Sequence, residues 1–129
     1  MTKIRIHLVS ALLFSSLISS GCSPAVTDPS VSRATAATLR TNPSITGQVT
    51  AVALPAIVVE EKPIEPHGSD KALVKITDGT QVLRQGEGAV GATELRVGQQ
   101  VKVWFTGPVM ESYPTQATAG VIVIEPGNR

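Results

Sequence analysis

The chain has 129 residues and one cysteine, which allows one domain and no internal disulfide. Beyond Gly21, nine basic residues face ten acidic ones, a side-chain balance of −1. No basic stripe remains to attract phosphates, so nucleic acid is not an expected partner.

The N-terminus opens with Lys3, Arg5 and His7, continues as an apolar run over residues 8–18, and ends in Ser19-Ser20-Gly21 before Cys22. This is the order of a secretory signal. The run is too short to span the hydrocarbon layer, which takes roughly 20 apolar residues. A small residue directly before a cysteine marks a lipoprotein signal, in which the thiol takes a diacylglycerol and cleavage exposes the cysteine amine. Gly21 and Ser20 fit that pattern, whereas Ser19 stands where Leu is usual. The expected partner of residue Cys22 is therefore a membrane, on its extracytoplasmic side. Each buried acyl CH₂ contributes about 0.8 kcal/mol to such an anchor. Ser23 is not the Asp that retains lipoproteins at an inner membrane, which favours the outer membrane of a double-membrane cell. The alternative is ordinary cleavage between residues 20 and 25, giving a free secreted protein.

Residues 22–43 are rich in Ser, Thr, Ala and Pro and read as a lipidated cysteine followed by a flexible tether. Residues 31–39 have weak helical character and few apolar positions with which to pack. The domain is expected over 44–129. Ile45, Gly47, Val49 and Ala51 alternate with polar residues as a half-buried strand does, and Leu54-Pro55 interrupts the run. Residues 56–61 make a second strand and 62–70 a Pro-rich loop. Ala72, Val74 and Ile76 share a face in a third strand. Asp78-Gly79 is the pair that a tight hairpin favours, returning the chain as a strand over 80–84. Three glycines and a single helical turn at Thr93-Glu94-Leu95 precede the strand 101–106, with Val101, Val103 and Phe105 on one face. A loop over 107–116 leads to a last strand, 118–125, whose run Val121 to Ile124 predicts burial on both faces.

Five or six short strands with one short helical turn predict an all-β fold: a small OB-like barrel, with a β-sandwich as the alternative. The residues Leu95, Gly98, Val101, Val103, Trp104, Phe105, Gly107, Glu111, Ser112, Tyr113, Pro114, Gln116 and Ala117 carry a resemblance. Together with Ile45-Thr46-Gly47-Gln48-Val49, they resemble the YobA-like domain of unknown function, domain-of-unknown-function family 3221. The resemblance implies an envelope location and a compact β domain. It implies no activity, so no catalytic residue is carried over.

Trp104, Phe105 and Tyr113 lie close together in sequence. If Phe105 is core, Trp104 points outward with Lys102 and Thr106, under a folded-back 107–116 loop or as part of a contact patch. The candidate binding patch is Trp104, Met110, Glu111, Ser112, Tyr113 and Gln116, on the loop between the last two strands. Its expected occupant is a protein, peptide or glycan, and no cofactor is called for. Ser112 with Glu111 and His67 is the alternative, a serine-type hydrolase, although His67 lies in a Pro-rich loop. A purely structural envelope protein is the third reading.

Two further patterns have weak chemical content. Gly86-Glu87-Gly88-Ala89-Val90-Gly91 is literally G-x-G-x-x-G, but dinucleotide binding needs that turn to open a full helix. Glu60, Glu61, Glu65, His67 and Asp70 cluster in sequence, yet one histidine and scattered carboxylates make a poor metal set, so no metal is assigned.

Overall fold

The computed structural model describes residues 31–63, 68 and 70–127. The signal segment, Cys22, Glu65 and His67 lie outside the described residues.

Among the described residues there are seven strands, most of them built by alternation of small or branched apolar residues with polar ones. They are β1 (Ile45–Ala53), β2 (Ala56–Glu60), β3 (Lys71–Lys75), β4 (Gln81–Arg84), β5 (Gly88–Val90), β6 (Gln100–Met110) and β7 (Thr115–Ile124). A 3₁₀ turn, Ala92–Glu94, precedes β6, where the sequence predicts one helical turn. Antiparallel pairs β3-β2-β1-β6-β7 form a meander-like run, and parallel pairing of β3 with β7 closes it into a five-stranded, OB-like barrel. Closure leaves none of these five strands as a full-length open edge.

The barrel interior is aliphatic. Ile45 and Val49, Ile57 and Val59, Val74, Val101 and Val103, and Ile122 and Ile124 fill it, all buried. Each fully buried side chain of this size contributes about 1.5–3 kcal/mol. Leu95, at the end of the 3₁₀ turn, joins the same core, and Phe105 packs against it as its alternation predicts. The inward face of β1 includes Gly47, where an added Cβ would lie 2.2 Å from the carbonyl oxygen of Glu60. β1 and β2 therefore approach too closely for any side chain at that position.

Asp78-Gly79 does not make the predicted hairpin. Neither residue has positive φ, so the primed turn that returns a strand on itself is absent. Thr77 to Thr80 instead form a simple turn, with Thr80 N–H donating to the Thr77 carbonyl at 3.0 Å. β3 and β4 consequently run in the same direction along one edge of β7, β3 against 115–118 and β4 against 121–124. At the step between them the Thr80 hydroxyl donates to the Ala119 carbonyl at 2.7 Å. A side chain thus satisfies a carbonyl in the break between the two ladders.

Two further expectations are corrected. β6 runs to Met110 and β7 starts at Thr115, so the predicted 107–116 loop is a strand arm with a short turn at 111–114. Gly107 and Pro108 read as loop residues, but a register shift between Thr106 and Met110 places them in a bulge, where proline is tolerated. The segment before Ser44 also packs. Ser32 caps a six-residue helix, α1 (Arg33–Thr38), accepting from Thr35 N–H at 3.1 Å. Val31 and Leu39 lie against Leu83, Trp104 and Val121 on the outer face of β4, β6 and β7. The Trp104 indole N–H donates to the Thr41 carbonyl at 3.1 Å. Trp104 does point outward, but its cover is this N-terminal strap and not the 107–116 arm. The sparse apolar pattern of the strap concealed this, because two side chains suffice to cover one indole.

Gly47→Ala should cost about 1–3 kcal/mol, because backbone must move to admit the methyl group; chemical denaturation measures it. Trp104 is the only tryptophan in the sequence. Leu39→Asp should free the strap at a cost of about 1–2 kcal/mol and shift the tryptophan emission to the red. An unshifted emission maximum would contradict the packing of the strap.

Candidate functional site

At one end of the barrel, the β1–β2 turn approaches the β6–β7 arm. Leu54-Pro55 makes that turn and Ala53 pairs with Ala56 across it. Between turn and arm lies an open cleft of about 330 Å³. Its floor is Ala56, Leu73 and Ala117, and its walls are Pro55, Pro108 and Met110. Lys75, Gln116 and Thr118 add polar groups to the lining. The parallel β3–β7 pairing assembles it, because it sets Leu73 beside Gln116 and Lys75 beside Thr118.

The surroundings of the cleft are unusually apolar. Met110 lines it and is exposed; Leu54, Val109 and Tyr113, also exposed, lie next to the lining in sequence, before Pro55, between Pro108 and Met110, and on the turn after β6. Met110 is 62% and Tyr113 78% accessible, values that packing alone does not explain for such large apolar groups. Clusters of exposed apolar residues beside a concave surface mark contact sites in soluble domains.

Of the predicted patch, the structure places Met110 and Gln116 in the cleft, and Glu111, Ser112 and Tyr113 on the exposed turn that joins β6 to β7, outside its lining. Trp104 is separated from them. It is 7% exposed under the strap and lines none of the cleft. Ser112 serves the turn: its hydroxyl donates to the Pro114 carbonyl at 2.7 Å and accepts from Gln116 Nε2 at 3.4 Å. Sequence reasoning missed Pro55, Leu73 and Lys75. The outward position of Lys75 was legible from strand alternation, but its nearness to the arm depends on a long-range parallel pairing.

The remaining sequence patterns resolve into structure. Gly86 and Gly88 take positive φ in the β4–β5 hairpin, so the glycine-rich run turns a strand into a strand, not into a helix N-terminus. Glu60 pairs with Lys71 at 3.1 Å, and Glu61 Oε1 accepts from the Thr46 N–H at 3.3 Å. Among the described residues no group of three or more His, Cys, Asp or Glu side chains is gathered for a metal.

A larger groove at the opposite end of the barrel has Lys62, Arg84, Glu87, Arg96 and Glu125 in its lining. Arg84 is engaged there by Glu94 at 3.0 Å and Glu87 at 3.4 Å. The hydrogen bond to Glu94, with support from Glu87, raises the pKa of its guanidinium above the ordinary value. Mixed charges and internal pairing make this groove a poorer contact surface than the cleft.

No curated protein and no solved structure matches the chain. A family model described as a protein of unknown function (DUF3221) matches residues 57–124, from β2 through the end of β7. The matched span contains the closing β3–β7 pair and most of the cleft, and on it the chain belongs to the DUF3221 family.

Proposed function

We propose that this protein is an envelope-anchored lipoprotein whose barrel is a non-catalytic binding module, with the cleft between the β1–β2 turn and the β6–β7 arm as its contact site. The observation that carries the binding reading is the exposure of Met110 in the lining of an apolar cleft, with exposed Leu54 and Val109 next to its lining residues in sequence and Tyr113 on the turn that follows β6. Barrels of this kind commonly use their second and third strands and the equivalent loops to hold ligands, which supports the placement by analogy of fold. The partner class is a protein, peptide or glycan.

The anchoring half of the proposal rests on the basic start, the apolar run and Gly21 before Cys22. It gives the strap a mechanical consequence. With Val31 packed on the barrel, only residues 23–30 separate the globule from the acylated cysteine. A fully extended chain of that length spans about 30 Å. The domain would work close to its membrane, facing outward from the cell or into the periplasm.

Met110→Ala and Tyr113→Ala should leave stability within about 0.5 kcal/mol, as exposed positions do, while reducing capture of partners from crosslinked envelopes. Unchanged capture by the double variant would remove the cleft as the contact site. Mass spectrometry of the mature protein should find its N-terminus at Cys22 carrying a diacylglycerol; a free thiol or an intact Met1 would defeat the anchor.

A further inference from the structure

Lys75 is the one charged residue in the lining of the cleft, and it differs from the other strand cations. Among the described residues, four lysine or arginine side chains lie on strands: Lys71, Lys75 and Lys102 in the barrel, and Arg84 on β4 beside it. Lys71 pairs with Glu60, its cross-strand neighbour, at 3.1 Å. Lys102 pairs with Glu125, and Arg84 with both Glu87 and Glu94. Lys75 alone has no ion pair among the described residues. Its neighbours across the two flanking strands are Ala56 and Thr118, small or uncharged and both in the cleft lining.

A lone ammonium over an apolar floor is complementary to a ligand with an apolar group next to a carboxylate. Gln116 and Thr118, two residues apart on one face of β7, add hydrogen-bonding groups in a row along the same cleft. Such a row suits the evenly spaced polar groups of an extended main chain. The volume, about 330 Å³ and open to solvent, accepts one or two side chains but leaves a long acyl chain partly in water.

We propose that the cleft takes an extended peptide segment in which an apolar side chain is followed by Asp, Glu or a terminal carboxylate. The apolar side chain lies among Ala56, Leu73 and Met110, and the carboxylate meets Lys75. This rests on the cleft being the contact site, and it assigns Lys75 as the residue that sets ligand charge.

The test is to pan a phage-displayed library of random peptides on the full chain, then measure synthetic fluorescein-labelled winners by anisotropy. Apolar–acidic sequences should be enriched, and replacing their carboxylate by the amide should weaken binding. Lys75→Glu should weaken acidic peptides by up to about fivefold, the upper end for one exposed ion pair, and shift enrichment toward Lys and Arg. Raising salt to roughly 0.5 M should narrow the difference between acid and amide peptides. Winners that lose affinity with Met110→Ala but ignore Lys75→Glu would overturn the ligand class and leave the contact site standing. No enrichment over a blank surface would overturn the peptide proposal, and so would decanoate binding in place of any peptide. If Met110→Ala and Tyr113→Ala also leave envelope capture unchanged, the contact site falls with it.

Discussion

The parallel pairing of β3 with the first half of β7 is the constraint on which the rest depends. Without it, β3-β2-β1-β6-β7 would be an open sheet, with Val74 and its neighbours facing water instead of a shared interior. The pairing is costly to form, since it joins residues some 40 positions apart and closes a large loop before any contact rewards it. The aliphatic interior offsets that cost. β7 serves three partners at once: β6 along one edge, and β3 then β4 along the other. Thr80 bridges the step between the last two by giving its hydroxyl to Ala119.

Much of the barrel was legible in the sequence because strand alternation is a local property. Ile45 and Val49, Ala72 and Val74, and Val101 and Val103 fall on the inward face as their spacing predicts. The run Val121 to Ile124 shows burial on both faces for a physical reason, with Ile122 and Ile124 in the barrel core and Val121 under the strap. What failed was whatever depends on backbone sign or on distant partners. Asp78-Gly79 has the composition of a primed turn, yet β4 pairs along β7 and does not fold back on β3. Gly107 and Pro108 resemble a loop because a bulge and a loop use the same residues.

Trp104 carries the same lesson at the level of the site. Alternation correctly placed it on the outer face, but exposure was a separate matter. The nearby arm was the obvious cover, whereas Val31, Leu39 and the Thr41 carbonyl supply it from more than 60 residues away. The large exposed apolar surface therefore moves from the tryptophan to Met110, Tyr113, Val109 and Leu54. Of the six residues in the patch read from sequence, Trp104 supports the strap while the other five belong to the arm beside the cleft. The other half of that cleft, Pro55, Leu73 and Lys75, arrives by way of the closing strand pair.

Cleft and closure are thus tied together: the proposed contact surface exists only while β3 is seated against β7. Native-state hydrogen exchange on the intact protein tests it most directly. The paired amides of 71–75 and 115–118 should exchange together, and as slowly as the central β1–β6 amides, as members of one cooperative unit. Rapid exchange at 71–75 while β6 and β7 stay protected would show an open sheet, and with it no standing cleft.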